Sequence, residues 1–156
     1  MPIKRLLIAN RGEIAVRIAR AAAELGIETV AVFSEDDAAC LHVSEADEAH
    51  LLPGSGPRAY LNIESLIAAA RLSHADTLHP GYGLLSESGA LAQACRDADI
   101  TFVGPTPDTL QRLGDKASAR DLAQSVGVNV LEGTDRPTTL EDCHTFLESL
   151  GAPAVV

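Results

Sequence analysis

The chain is predicted to be an α/β protein: a three-layer, doubly wound and mostly parallel sheet with helices on both faces. Three observations predict it. Short apolar runs alternate with stretches of helical period as far as about residue 105. One run, Leu6-Leu7-Ile8-Ala9, stops at Asn10, and a helical pattern begins within four residues. So abrupt a turn puts backbone N–H groups at the carboxyl edge of a sheet, where open α/β folds bind ligands. Aromatic residues make up only 3% of the composition. Ala, Val, Leu and Ile therefore carry the core, as parallel strands buried under helices require.

The elements follow in order. The first strand covers 5–9 and the first helix 12–25, with Gly26 placed to end it in a left-handed conformation. Ile14, Ile18, Ala21, Ala22 and Leu25 form its buried stripe, and Glu13–Arg17 and Arg20–Glu24 pair on its outer face. A second strand over 28–33 runs into Ser34-Glu35-Asp36-Asp37, a solvated acidic turn with a helix-capping aspartate. A short helix near 37–45 and a strand near 49–52 precede a Pro/Gly loop at 53–57. Asn62 caps a helix over 63–72. A strand at 77–79, a helix over 88–98 and a strand over 100–103, ended by Gly104-Pro105, complete the unit. Two helices follow at 107–113 and 116–126, joined by Gly114-Asp115. After them come a short strand at 128–131, a polar loop over 133–138 and a helix over 139–150 capped at Thr138 or Thr139. An apolar run at 152–156 opens a further strand. The boundary is placed between a doubly wound domain over 1–105 and linker helices with the start of a second domain over 106–156.

Composition excludes some functions. Twelve basic against 22 acidic residues give a net charge of −10. That argues against non-specific binding to nucleic acid or anionic membrane. The apolar runs are too short to span a bilayer, and Met1-Pro2-Ile3-Lys4 does not read as a signal peptide. Cys40, Cys95 and Cys143 form no C-x-x-C; they suit a reducing, cytoplasmic setting and are read as small, partly buried hydrophobes. His42, His50, His74, His79 and His144 show no short metal-ligand spacing, so no metal site is read in the chain.

Two segments carry the functional signal. Ile8-Ala9-Asn10-Arg11-Gly12-Glu13-Ile14-Ala15 is not G-x-G-x-x-G. Asn10 and Arg11 stand where glycines would, which argues against a dinucleotide pyrophosphate; spacing alone reads Asn10 as a helix cap. The second, Thr77-Leu78-His79-Pro80-Gly81-Tyr82-Gly83-Leu84-Leu85-Ser86-Glu87, is a strand running into a Pro/Gly turn that holds His79 and Tyr82. Three more segments are His42-Val43-Ser44-Glu45-Ala46-Asp47-Glu48-Ala49, Tyr60-Leu61-Asn62-Ile63 and Gly114-Asp115-Lys116. In this order, over nearly the whole chain, the five resemble the N-terminal region of biotin carboxylase. That enzyme is the ATP-dependent component of acetyl-CoA, propionyl-CoA, pyruvate and related biotin-dependent carboxylases, in the ATP-grasp superfamily. The resemblance implies a Rossmann-like pre-ATP-grasp domain followed by the start of an ATP-grasp region. The implied activity of the parent is ATP- and bicarbonate-dependent carboxylation of biotin on a carrier protein.

The resemblance also implies roles. Lys116 matches a lysine that approaches the ATP phosphates; a helix start is electrically poor for a cation, which favours a functional use over plain solvation. Tyr82 and Gly83 match positions beside bound biotin, where a phenol offers an apolar face and a hydroxyl and flanking glycines admit a ligand close to the backbone. Asn10, Arg11, Glu13, His79 and Glu87 are read as support for that loop, none of them catalytic. Arg17, Arg20 and Glu24 match dimer-interface positions. ATP, Mg2+ or Mn2+, and carrier-bound biotin are implied as cofactors and substrate. A biotin carboxyl carrier protein or domain and a carboxyltransferase are the implied partners, and a homodimer the implied state. The glycine-rich phosphate loop, metal-binding acids and biotin-orienting arginine of the family would lie beyond Val156. Residues 1–156 alone are therefore expected to be inactive. Two other classes stay open: a non-enzymatic folding or dimerisation module, and a nucleotide-binding oxidoreductase domain, which needs a Gly-rich first turn.

Overall fold

The computed structural model describes residues 2–133 and 138–152. Most of the loop expected over 133–138, and all but the first residue of the strand expected at 152–156, lie outside the described residues. The chain forms two compact units, Met1–Leu110 and Gln111–Val156.

The first unit runs β1 (Arg5–Ile8), α1 (Gly12–Glu24), β2 (Glu28–Phe33), a 3-10 turn (Glu35–Asp37), α2 (Leu41–Ser44) and β3 (Glu48–Leu51). A second 3-10 turn (Pro57–Leu61), α3 (Ile63–Leu72), β4 (Thr77–His79), α4 (Gly89–Asp97) and β5 (Thr101–Phe102) complete it. The five strands are ordered β3-β2-β1-β4-β5, and every neighbouring pair is parallel. This is the doubly wound α/β fold that the alternation predicts.

The central strand shows why the sheet needs helices on both faces. Side chains alternate along a strand. Leu6 and Ile8 of β1 pack with Ala15, Ile18, Ala19 and Ala22 of α1. Leu7 and Ala9 face the other way, into a larger core that holds Leu66 and Ala70 of α3 and Leu91 and Cys95 of α4. Val30, Val32 and Leu78 from the flanking strands join that second layer. Cys95 is wholly buried there, and burial pushes its thiol up to about 11; Cys40 and Cys143 are partly buried.

Polar contacts fix the opposite, amino-terminal edge. The Asp76 carboxylate accepts from the Lys4 and Arg5 N–H groups at 3.0 and 3.3 Å. The Arg5 guanidinium of β1 bridges Glu28 of β2, at 2.8 Å, and Glu48 of β3. Three strands are thus held in register by one side chain.

Helix ends follow local rules. Asn62 accepts from the Ser65 N–H at 2.9 Å and caps α3, as its position predicts. Ser88 caps α4 through the Leu91 N–H at 3.2 Å. Gly26, at φ +69°, follows α1 in the left-handed region.

Several expectations are corrected. Of the stripe expected on α1, Ile18 and Ala22 are buried and Ile14 packs half-buried on the same core, but Ala15 and Ala19 complete the buried face. Ala21 is exposed, and Leu25, just past the helix, is 75% exposed. Small residues face the sheet because a helix laid flat on strands packs closest through alanines. The pairs Glu13–Arg17 and Arg20–Glu24 do not form among the described residues; Arg20 reaches instead to Glu45, at 3.0 Å. The expected helix at 37–45 is a 3-10 turn and one α-turn.

The division between units falls within α5 (Pro107–Gly114). The second unit contains α6 (Lys116–Ser125) and α7 (Leu140–Leu150). Asp115 caps α6 through the Ser118 N–H at 2.8 Å. Thr139 and Asp142 form a reciprocal capping box on α7. The strand expected at 128–131 is absent: the segment has no regular structure, and Leu131 is 87% exposed. An apolar run becomes a strand only where another strand pairs with it, and none does among the described residues; the Val128 N–H bonds back to Ala123 and the Leu131 carbonyl accepts from Arg120. No helix among the described residues is long and apolar enough to cross a membrane.

Candidate functional site

Strand order reverses between β1 and β4, and such a reversal opens a crevice at the carboxyl ends of the strands. Here the two ends are joined by one side chain. The ladder extends past β1 through the Ala9 N–H to the His79 carbonyl, at 2.9 Å. The next residue, Asn10, is buried. Its Nδ2 donates to the carbonyls of Pro80 and Tyr82, at 2.7 and 2.9 Å, and its Oδ1 accepts from the Arg11 N–H at 2.9 Å. The expectation that Asn10 caps the helix is therefore corrected. Arg11 occupies the cap position of α1 without a capping bond, and the Asn10 amide is spent on the facing loop. A buried amide is stable only with its polar atoms satisfied, and this loop satisfies it.

The loop is built around that clamp. Gly81 has φ +66°, and a Cβ there would stand 2.7 Å from Asn10 Nδ2. Only glycine meets both demands. The Gly81 N–H donates to His79 Nδ1 at 3.0 Å, which leaves the imidazole proton on Nε2. Burial holds the His79 pKa below its ordinary value, so the ring stays neutral. Leu84 lies in the left-handed region at φ +44° while its side chain packs on the core. That backbone costs roughly 1–2 kcal/mol for a branched residue, which the packing must offset. Tyr82, between Gly81 and Gly83, is 64% exposed. The loop thus presents an exposed phenol just past the carboxyl end of β4, on a backbone held by three hydrogen bonds, two from Asn10 and one to His79.

A cluster that local spacing did not reveal lies behind Arg11. Glu35 and Asp36 are exposed, as a solvated acidic turn requires, but Asp37 is only 3% exposed. It accepts from Arg11 Nη2 at 2.8 Å and Tyr60 Oη at 2.7 Å, with Ser34 Oγ at 3.2 Å and Cys40 Sγ at 3.4 Å. Burial pushes its pKa up, but the bonds from Tyr60 and Cys40 and the Arg11 charge outweigh burial, and the carboxyl sits below its ordinary range. Tyr60 is wholly buried, and burial together with the Asp37 bond pushes its phenol up to about 12. The Arg11 guanidinium stacks 5.7 Å from the centre of the Tyr60 ring. The one sequence hint was Tyr60 itself, one of two tyrosines in the chain.

Of the residues expected to support the loop, the structure brings Asn10, Arg11 and His79 together. Glu13 and Glu87 are exposed, and their side chains hydrogen-bond to no described residue. Arg17, Arg20 and Glu24 share the exposed side of α1. Lys116 is the first residue of α6, in the second unit, and is exposed. Two shallow hollows of about 240 and 290 Å³ lie elsewhere, and neither includes Asn10 or Tyr82 in its lining.

Comparison with known proteins bears on this geometry. Residues 2–110 match the family model described as biotin carboxylase, N-terminal domain. Human mitochondrial pyruvate carboxylase is 48% identical over 99% of this chain and 13% of that protein. Biotin carboxylase 1 of Bacillus subtilis (strain 168) is 44% identical over 99% of this chain and 35% of that protein. The solved biotin carboxylase domain of a single-chain bacterial carboxylase shares 53% identity at a TM-score of 0.90, over 95% of this chain and 34% of that one. A biotin carboxylase domain dimer of Hydrogenobacter thermophilus 2-oxoglutarate carboxylase, in complex with MgADP and bicarbonate, gives a TM-score of 0.92 at 37% identity, over 98% of this chain and 34% of that one. The chain therefore spans about a third or less of the length of these relatives. Motif order, sheet topology and these matches agree, and the chain belongs to the biotin carboxylase N-terminal domain family.

Proposed function

We propose that the protein carrying this chain is an ATP-dependent ligase that uses bicarbonate to carboxylate biotin, and that the Gly81-Tyr82-Gly83 loop receives the biotin. The observation that carries this reading is the Asn10 clamp, which holds a mostly exposed phenol at the sheet's switch point. Biotin is a fused, largely apolar bicycle with a polar ureido edge. The Tyr82 ring would cover its apolar face, and the glycines on either side would let it approach the backbone. Lys116 would place its charge on the ATP phosphates; at the amino end of α6, opposed by the helix dipole, it gains most from an anionic partner. No three His, Cys, Asp or Glu side chains converge as a metal site among the described residues, so no step through Mg2+ or Mn2+ is assigned to this chain.

The proposed partners are a biotin carboxyl carrier and a carboxyltransferase, in keeping with a relative described as a single-chain, multi-domain long-chain acyl-CoA carboxylase. We also propose that Arg17, Arg20 and Glu24 meet a second copy in a homodimer. Arg20 would then have to exchange or share Glu45. The domain boundary is proposed near Gly104-Pro105.

The test uses the intact enzyme. Tyr82→Ala should raise KM for free biotin about tenfold or more and leave KM for MgATP unchanged, whereas Lys116→Ala should do the reverse. Equal effects of each variant on both substrates would refute the assignment. Residues 1–156 alone should bind MgATP no better than millimolar, about 4 kcal/mol, in calorimetric titration, and release no phosphate with bicarbonate and biotin.

A further inference from the structure

The Tyr82 loop is not held by Asn10 alone. Asn10 Oδ1 is bonded to the Arg11 N–H, so the orientation of the amide depends on where the Arg11 backbone lies. Arg11 is anchored in turn. Its guanidinium is ion-paired to buried Asp37 and stacked on Tyr60. The four contacts to the Asp37 carboxylate divide evenly between its oxygens, Arg11 and Cys40 on Oδ1, Tyr60 and Ser34 on Oδ2. The Tyr60 hydroxyl also accepts from the Ser34 N–H at 3.2 Å, which ties the cluster to the end of β2. The Arg11 charge is thereby matched within the chain, so its use is geometric rather than as a free anion-binding group. Continuous bonded contacts run from the end of β2, through Asp37, Arg11 and Asn10, to the Pro80 and Tyr82 carbonyls.

We infer that Asp37 and Tyr60 are positioning residues for the biotin loop. They fix Arg11, which fixes the Asn10 amide, which sets the height and tilt of the Gly81–Gly83 backbone. The inference rests on the proposed role of Tyr82 as the residue beside biotin. A network centred on a buried carboxylate and a buried phenol suits this task, because it offers few alternative arrangements of similar energy. Removing one member leaves a desolvated partner unsatisfied, and the slack passes to the loop.

Three variants test it. Tyr60→Phe keeps the ring and the Arg11–Asp37 pair and deletes one hydroxyl. Arg11→Lys keeps the charge and loses the planar stack. Asp37→Asn removes the charge, and Tyr60→Phe serves in its place should it not fold. In residues 1–156, amide exchange is read at Gly81, whose N–H is bonded within the loop, and at Leu78, inside β4. Each folded variant should exchange about tenfold faster at Gly81, with Leu78 unchanged. In the intact enzyme the same variants should raise KM for free biotin several-fold and leave KM for MgATP as it was. Unchanged exchange at Gly81, or equal acceleration at Leu78, would overturn the inference, the latter by making the cluster plain scaffolding. The biotin reading fails separately: faster exchange at Gly81, with biotin KM unmoved by both Tyr60→Phe and Tyr82→Ala, would uphold the coupling and remove biotin from the loop.

Discussion

Capped helices begin in the same way in both units and differ in what they then bury. Asn62 and Ser88 cap α3 and α4 as Asp115 and Thr139 cap α6 and α7. In the first unit, Leu7, Val30, Val32, Leu66, Leu78 and Leu91 are withdrawn completely from solvent. In the second, no described residue of α6 or α7 is buried, and Leu140 is 77% exposed. Caps and spacing place a helix, but helices of ten or eleven residues are marginal in water on their own. Stability comes from burial, and in this chain burial is concentrated in the sheet.

The sharpest way to break that comparison is hydrogen exchange. Amides of β1, β2 and β4 should be protected by several orders of magnitude more than those of α6 and α7. Uniform protection as far as Leu150 would abolish the contrast and with it the proposed boundary. Core truncation comes next. Leu78→Ala should cost about 2–5 kcal/mol in denaturant unfolding, whereas Leu140→Ala should stay within about 0.5 kcal/mol; similar losses would show a second core of comparable depth.

Acid should separate the units further. Burial lowers the pKa of His42 and of His79. The unfolded chain therefore takes up these protons first, near pH 6.5. Stability is complete above that value and falls as pH drops through the lower folded values. Asp37 and Asp47 are also lowered, Asp37 despite its burial and Asp47 chiefly by the Thr29 N–H and hydroxyl. Their contribution is present above about pH 4 and lost below it. Melting temperature of the first unit should fall in two stages, the first setting in as pH drops below about 6.5 and the second below about 4. A profile without the first stage would show that both histidines stay solvated. The smallest effect is at the caps. Asn62→Ala should lower global stability by about 1 kcal/mol, while Asp115→Ala should reduce helicity without moving the main transition. A shift of that transition by Asp115→Ala would join the two units energetically.

How much of this was legible in the sequence depended on the range of the interaction. The βα alternation, the cap at Asn62 and the end of α1 before Gly26 follow from neighbours a few residues apart, and the structure agrees with them. The stripe of α1 was displaced because Leu25 looked like a core residue; only the sheet decides that Ala15 and Ala19 face inward. The strand at 128–131 was over-read because apolar content does not reveal whether a partner strand exists. In the site, the motif drew attention to Asn10 and Tyr82, but their join spans 72 residues. The Arg11–Asp37 and Tyr60–Asp37 bonds span 26 and 23 residues. No periodicity encodes contacts of that kind, so a buried aspartate within an acidic run passed for a solvated one.

The position of β1 has a consequence for how the protein is made. It precedes the other four strands in chain order and is the middle strand of the finished sheet. β2 can cover one of its edges soon after synthesis. The other waits for β4, since Ile8 is paired with His79. At typical elongation rates that interval is on the order of 10 s. Throughout it, an apolar strand stands with one row of backbone donors and acceptors unclaimed, open to any other extended chain nearby. The nascent polypeptide is thus most prone to aggregate in the interval between the synthesis of β1 and that of β4.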